Sequence, residues 1–428
     1  MKIAFYTLGC KTNQFETQAL EQLFTARGHT LVDFSAAADV YIINTCTVTA
    51  LGDKKSRAAA RRAKRLNPSG TLIVCGCYAQ IKPDEVRTLC GADIVLGASD
   101  KGRIVELAEA AQGGARVQYA IPPALAKKPF EALPAGGLAG RTRALLKIQD
   151  GCQNFCTYCL IPFARGPSRS MDFDEAVAEA ARLAREGYRE IVLTGIEISS
   201  YGLDLVPQRT LEELAPALCA AAPEARIRLG SLEPRTITES FARALAAHPI
   251  LCPHFHLSMQ SGCDKTLRAM GRRYDTALFF AACETLRRHF PHCAITTDLI
   301  VGFPGETGAD FTETLAFVRR CAFAQVHIFP YSKREGTRAA VMTEQVEKAE
   351  KERRAAAAAE VCDGLHDAFL HSWIGETVEV LFEQAEHGGY TGHTPQYCAV
   401  WAPGEDLHNE LRRVRITDVR EGRLIGEL

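Results

Sequence analysis

The sequence predicts an α/β chain. It should hold an N-terminal open sheet of mostly parallel strands, a central run of parallel strand–helix units curled toward a barrel, and a small C-terminal β-barrel. Three observations carry this prediction. Short apolar runs alternate with helical periodicity from Lys2 to Ala111, and the alternation restarts at Arg143 and runs to Ala368. Between the two lies a stretch with Pro122, Pro123, Pro129 and Pro134 and paired glycines at Gly113/Gly114 and Gly136/Gly137. Beyond Trp373 the pattern is short strands with Gly-rich turns. The expected division is residues 1–112, a linker 113–140, residues 141–370 and residues 371–428.

In the first unit, Lys2–Leu8, Asp39–Asn44, Thr71–Cys75 and Asp93–Leu96 read as strands. Asn13–Arg27 reads as a helix because Phe15, Ala19, Leu20, Leu23 and Phe24 share one face, and Asp53–Leu66 and Ile104–Ala111 follow as helices. The linker holds one candidate strand, Val117–Ile121. In the central unit the expected strands are Ala144–Gln149, Glu190–Thr194, Arg226–Leu229, His254–Leu257, Ala294–Leu299 and Gln325–Phe329. Helices Asp174–Glu186, Leu211–Ala222, Glu239–Ala247, Thr276–Arg288 and Ala309–Cys321 lie between them, and six βα units in a row suggest a parallel, barrel-like sheet. A charged, Ala-rich helix, Glu344–Leu370, closes the unit. Thr377–Phe382, Tyr397–Trp401, Arg412–Val419 and Leu424–Glu427 are the strands of the last unit.

A length of 428 residues suits about three domains. No apolar run is long enough to cross a bilayer, and the N-terminus lacks a small-residue cleavage site, so the expected setting is cytoplasmic with no membrane contact. A net charge of −1 excludes a chain covered in positive charge but leaves room for a local basic patch. Sixteen cysteines in a cytoplasmic chain point to metal binding before disulfides.

The sharpest signal is Asp150-Gly151-Cys152-Gln153-Asn154-Phe155-Cys156-Thr157-Tyr158-Cys159, a C-x3-C-x2-C triplet just after the first central strand. Three thiolates on one loop can ligate three irons of a [4Fe–4S] cube and leave the fourth iron open, whereas an electron carrier uses four cysteines. A structural zinc would also need a fourth ligand. The open iron is where the amino and carboxylate groups of S-adenosyl-L-methionine can chelate. The spacing, with an aromatic residue before the last cysteine, resembles the radical S-adenosylmethionine superfamily, whose fold is a partial βα barrel of six units. The resemblance implies that Cys152, Cys156 and Cys159 hold the cluster. It also implies that Tyr158, Thr194, Gly195, Glu197, Glu233, Gln260, Ser261, Arg273, Val301 and Phe329 line the cofactor, with Arg272 and Arg273 near its carboxylate.

Three more cysteines each follow a predicted strand of the first unit: Cys10, Cys46 and Cys77. Parallel open sheets gather ligands at the carboxyl ends of their strands, so these can converge on a second cluster; the plainer reading is three small buried residues. The arrangement is similar to the methylthiotransferases over nearly the whole chain: a three-cysteine domain, a radical domain and a TRAM-like β-domain. Thr-Leu-Gly-Cys-Lys, Asn-Thr-Cys-Thr-Val-Thr and Thr-Thr-Asp-Leu-Ile-Val-Gly-Phe-Pro-Gly-Glu look like the branch that modifies threonylcarbamoyl-adenosine in tRNA. Thr12 and Gln153 depart from the residues frequent in that branch, and Cys75, two residues from Cys77, leaves the third ligand in question.

The resemblance implies two [4Fe–4S] clusters and S-adenosyl-L-methionine as cofactors. The Cys10/Cys46/Cys77 cluster would carry or supply sulfur, one cofactor molecule would methylate it, and a second would yield the 5′-deoxyadenosyl radical that activates carbon 2 of the adenine at position 37. The implied partners are the anticodon stem-loop of tRNA and an electron donor such as flavodoxin or ferredoxin, with a monomeric enzyme. For RNA contact, the basic run Lys54, Lys55, Arg57, Arg61, Arg62, Lys64 and Arg65 is available, as are Arg165 and Arg169. In the last unit Arg412, Arg413, Arg415, Arg420 and Arg423 accompany Tyr390, Tyr397 and Trp401 for stacking. The competing targets are isopentenyladenosine in tRNA and an aspartate of a ribosomal protein. Outside catalysis, a two-cluster electron-transfer protein and a zinc-bearing RNA-binding protein compete.

Overall fold

In the computed structural model, residues 1–115, 119–137 and 141–428 are described. The N-terminal sheet is all parallel, with spatial order Thr30–Val32, Lys2–Thr7, Val40–Thr45, Thr71–Gly76, Ile94–Val95. Of its three inner strands, Val40–Thr45 and Thr71–Gly76 are buried throughout, as a sheet covered by helices on each side requires, and Lys2–Thr7 is buried in part. Helices Lys11–Ala26, Ala50–Leu66 and Ile104–Gln112 cover it. The edge strand Thr30–Val32 and the short helices Cys77–Ile81 and Pro83–Cys90 were not predicted, being too short to show a period.

The six predicted central strands are present and parallel. Arg143–Lys147, Glu190–Thr194 and Arg226–Arg228 form one set; Ser231–Leu232, His254–Leu257, Ala294–Val301 and Gln325–Pro330 form the other. The chain passes from the first set to the second between Arg228 and Ser231, and a parallel bridge between Ile227 and Leu251 continues the curve. The five predicted helices are present, joined by the short helices Ile161–Arg165 and Asp264–Met270, and Lys348–His371 lies across Gln325–Pro330.

The first strand, Arg143–Lys147, is an open edge of this array, and the Lys11–Ala26 helix lies against it. Phe15 of that helix belongs to the central core with Ala144 and Leu146, so the two α/β units share one hydrophobic interior. The intervening segment is fastened to both. Gln80 donates to the Pro122 carbonyl at 3.0 Å, and Ala135 is buried in the central core. Of the strand expected at Val117–Ile121, Val117 and Gln118 lie outside the described residues, and residues 119–121 form no strand.

The last unit is a closed barrel, Thr377–Glu386, Gly389–His393, Ala399–Pro403, Arg423–Glu427, Leu411–Arg420. Gly389–His393 escaped prediction because glycine is a poor strand former. A Cβ on Gly389 would stand 2.3 Å from the Ala402 carbonyl, and one on Gly392 2.2 Å from that of Leu381. Close strand approach therefore selects the residues that hide the strand.

Candidate functional site

Cys10, Cys46 and Cys77 follow the first, third and fourth strands of the N-terminal sheet, whose order reverses between the first and third. Ligands of doubly wound sheets collect at that reversal. Cys10 precedes the Lys11–Ala26 helix and Cys77 opens the next short one. Their approach is visible at Gly9, where a Cβ would stand 2.9 Å from Cys46 Cβ and 3.1 Å from its Sγ. Burial pushes the Cys46 thiol up to about 11, and the Cys77 and Cys10 thiols add to the shift. Burial also raises the Cys77 thiol, against the pull of Arg165, whose Nε donates to Cys77 Sγ at 3.4 Å. Cys75 goes elsewhere. It packs in the core with Ile3, Leu20 and Ile42, where Lys101 Nζ reaches its Sγ at 3.8 Å. The chain turns from strand to helix at Cys77, which separates two thiols that strand alternation would have put on one face.

Cys152, Cys156 and Cys159 lie on the loop between Gln149–Asp150 and the Ile161–Arg165 helix. The loop is anchored at Thr157, whose amide donates to the Met270 carbonyl at 2.8 Å and whose hydroxyl donates to that of Ala269 at 2.9 Å. Amide groups turn onto the sulfurs: Asn154 N–H to Cys152 Sγ at 3.5 Å, Ile161 N–H to Cys159 Sγ at 3.4 Å. Burial pushes Cys152 up to about 11 and Cys159 up to about 12. A buried thiol this reluctant to ionise in water gives up its proton when a metal takes its place.

The donor set fits clusters better than single ions. Among the described residues, Cys263, Asp310 and Glu313 are the only three ligating residues whose atoms all lie within 4.8 Å of one another. Neither cysteine triplet is gathered that tightly, as zinc–thiolate bonds of about 2.3 Å would demand.

A buried ionic network joins the two sites. The Arg165 guanidinium donates to Glu16 at 2.7 Å, Asn13 at 2.6 Å, Asp150 at 3.1 Å and Cys77 Sγ at 3.4 Å. One residue on, the Gly166 carbonyl accepts from the Cys152 amide at 3.0 Å. Lys101 lies 2.8 Å from Glu16, Arg169 lies 3.0 Å from Asp150, and Lys147 lies 3.9 Å and 3.6 Å from the two carboxylates. Burial would raise Glu16, but Arg165, Lys101 and Lys147 outweigh it and hold the carboxyl at about 2; Asp150 is held down in the same way by Arg165, Lys147 and Arg169. Four buried cations face these two carboxylates, and the Glu131 carboxyl lies within electrostatic reach of Lys147 and Lys101. Sequence reasoning gave Arg165 and Arg169 to RNA; at 2% and 6% exposure they serve this interior instead.

The expected cofactor residues divide. Tyr158, Gln260 and Phe329 line one cleft of about 260 Å³ with Asp298 and Tyr331, closed on the other side by Val48 and Thr49 of the N-terminal unit. Glu197 and Glu233 lie close enough to repel: burial first, then Glu233, push the Glu197 carboxyl up to about 7, and Glu197 Oε1 has no partner. Gly195 is sterically required, since a Cβ would stand 2.9 Å from the carbonyl and Oε1 of Gln149 and from Ile198. Gln149, missed in the sequence, brackets the loop by accepting from the amides of Ile196 and Glu197 at 3.0 and 2.9 Å. Thr194 and Val301 are buried strand residues whose carbonyls accept from Ile148 and Tyr331. The Ser261 hydroxyl is fully buried between Thr314 and the Cys263 amide, so it does not join the cleft. Arg273 is exposed; its neighbour Arg272 faces inward, donating to Cys156 Sγ at 3.2 Å and lying 3.8 Å from Glu233. The left-handed turn at Gly271 after the Asp264–Met270 helix decides which of the two arginines points in.

On the basic helix Arg57 pairs with Glu85, Lys64 with Asp93, and Arg62 covers the Phe34 ring. Lys54, Lys55, Arg61 and Arg65 are exposed and without ion-pair partners among the described residues. In the barrel Arg412, Arg420 and Arg423 pair with Glu410, Asp418 and Glu386, while Arg413 and Arg415 project to solvent from one face of their strand. The expected stacking residues are otherwise engaged: Tyr390 packs on the barrel core, Trp401 donates to the Glu386 carbonyl, and Tyr397 stacks on His393.

Comparison with known proteins agrees with this geometry. Residues 146–318 match the Radical SAM superfamily, and residues 2–97 match Uncharacterized protein family UPF0004. The chain is 39% identical to Threonylcarbamoyladenosine tRNA methylthiotransferase MtaB of Bacillus subtilis, over 97% of this chain and 93% of that one. The protein of that name from Thermotoga maritima is 34% identical over 98% and 95%. A tRNA-2-methylthio-N(6)-dimethylallyladenosine synthase of Maricaulis maris is 33% identical over 99% and 96%. In fold, the chain is similar to a radical S-adenosylmethionine methyltransferase, TsrM, from Kitasatospora setae: TM-score 0.58, 16% identity, 79% of this chain and 77% of that one.

Proposed function

We propose that this chain, which belongs to the methylthiotransferase family of radical S-adenosylmethionine enzymes, places a methylthio group on carbon 2 of N6-threonylcarbamoyladenosine at position 37 of tRNA. The observation that carries the reading is the Arg165–Gly166 step, which touches Cys77 of one triplet and the Cys152 amide of the other. Two cysteine sites held across one rigid interface suit a reaction in which sulfur and radical must meet on a single carbon.

Cys10, Cys46 and Cys77 would hold one [4Fe–4S] cluster, and Cys152, Cys156 and Cys159 the other. When bound, the clusters supply the sulfur to be transferred and the electron that cleaves S-adenosyl-L-methionine. The residues around them bind and orient. Arg272 holds Cys156 by charge-assisted hydrogen bonding. Glu197, with an unpartnered oxygen beside Glu233, fits the cofactor's ammonium group. Gln149 and Gly195 shape the loop that would receive the methionine end. Tyr158, Gln260 and Phe329 form walls of the cleft.

The anticodon stem-loop is the fitting RNA element, because base 37 lies in a loop and need not be pulled from a duplex. Of the basic residues on the Ala50–Leu66 helix and the barrel, Lys54, Lys55, Arg61, Arg65, Arg413 and Arg415 are exposed and free for its phosphates. No helix among the described residues is long and apolar enough to cross a membrane. A cytoplasmic monomer reduced by flavodoxin or ferredoxin completes the reading. Nucleoside mass spectrometry of tRNA with and without the gene tests it. Loss of the 2-methylthio form with accumulation of threonylcarbamoyladenosine is expected; an untouched nucleoside overturns the substrate.

A further inference from the structure

Lys11 and Tyr397, with Arg143 and Arg228, wall a cleft of about 270 Å³ where the three units meet. Lys11, Gln14 and Gln18 come from one face of the N-terminal helix, the arginines from the central strands, and Glu383 and Tyr397 from the barrel. The Tyr397 ring is ringed by cations: Arg228 at 4.8 Å, Arg143 at 5.1 Å and Lys11 at 6.0 Å from its centroid. Two of these charges are already answered. Arg228 holds Glu190 at 2.7 and 2.8 Å, and Arg143 holds Glu383 at 2.7 Å. Lys11, and Arg141 at the mouth, have no ion-pair partner among the described residues. The cleft therefore carries unanswered positive charge, and Lys11 is open to solvent from its mouth.

Lys11 also directly follows Cys10, about 3.8 Å away along the backbone. In adenine, carbon 2 and the carbon bearing N6 flank the same ring nitrogen, so a substituent on N6 lies beside the atom that receives sulfur. The two kinds of relative are named for adenosines with different N6 groups. Threonylcarbamoyl ends in a free carboxylate; dimethylallyl carries no charge. We propose that this cleft receives the carboxylate of the substrate's N6 substituent, with Lys11 as its counter-ion. The proposal rests on the methylthiotransferase reading above and adds the residue that selects the substrate. A carboxylate rejected or accepted by one unpaired cation is a discrimination that apolar packing alone does not provide.

The test uses the reconstituted full chain and three anticodon stem-loops, with threonylcarbamoyladenosine, its methyl ester or plain adenosine at position 37. Binding is measured for the parent and for Lys11→Met, with iron content recorded for both. The parent should hold the acid about tenfold or more tighter than the ester, and Lys11→Met should abolish that preference. Equal binding of acid and ester by the parent overturns the proposal. So does an equal loss on all three RNAs, which would assign Lys11 to backbone phosphate. Should Lys11→Met fail to load iron, Arg141→Gln is read on the same three RNAs: a loss confined to the acid supports the cleft, and no selective loss overturns it. If the parent binds the acid loop selectively yet never methylthiolates it, the functional reading fails and the carboxylate subsite stands.

Discussion

Replacing Arg165 tests the junction between the two cysteine sites. In Arg165→Met a side chain of similar length keeps most of the volume but removes every donor. Glu16, Asp150, Asn13 and Cys77 lose hydrogen bonds of 2.7, 3.1, 2.6 and 3.4 Å in a region that water does not reach. Breaking a buried pair by removing one partner costs about 3–5 kcal/mol. Lys101 remains 2.8 Å from Glu16 and Arg169 3.0 Å from Asp150, which places the expected loss near the lower end, about 3 kcal/mol. Asp150→Asn in the same chain removes one stranded charge. The double variant should therefore lose less than the sum of the singles, by about 1–3 kcal/mol. Because three packed units need not unfold in one step, the loss is read by amide hydrogen exchange in the Lys11–Ala26 helix as well as by denaturant unfolding. A single-variant loss below about 1 kcal/mol, or strict additivity with Asp150→Asn, would refute the picture of a buried ionic clasp.

The same clasp sets a pH dependence. Glu16 titrates at about 2 in the folded chain against an ordinary 4.5, so its contribution is fully present above about 4.5 and is lost as pH falls toward about 2; exchange protection of the Lys11–Ala26 helix followed over that range should fall, and a flat profile would contradict the shift. Cys77→Ser should lower iron from about eight to about four per reconstituted chain, whereas Cys75→Ser should leave it unchanged; the reverse result would make Cys75 the ligand. Gly195→Ala forces a Cβ to 2.9 Å from Gln149 and Ile198, which should cost about 1–3 kcal/mol and weaken S-adenosyl-L-methionine binding in equilibrium dialysis. Arg413→Gln with Arg415→Gln should reduce the salt slope of tRNA binding by about 2, and an unchanged slope would remove the barrel from the RNA path.

What could be read without coordinates was local. Cys152, Cys156 and Cys159 stand within eight residues on one loop, so their spacing alone carried the chemistry. Strand and helix periods placed the six central strands because five of these runs are largely buried in the parallel sheet, with Gln325–Pro330 at the edge the more exposed one. Cys10, Cys46 and Cys77 were legible one step removed, through the rule that ligands gather at strand ends. The strand Gly389–His393 was hidden by the glycines its neighbours require.

Other assignments depended on partners distant in sequence. Arg165 looked like an RNA-facing cation until Glu16, Asn13 and Cys77 came to surround it. Arg272 and Arg273 are alike in sequence, and only the turn at Gly271 and the position of Cys156 tell them apart. Lys11 gains its meaning from Arg143, Arg228 and Tyr397, which belong to two other units. By itself, then, the sequence determined most of the elements, the two candidate cysteine triplets and the family. The tertiary structure alone decided which charges are buried, which are answered and which stand open, because a charge is defined by its dielectric surroundings and counter-ions, and chain folding brings these from distant sequence.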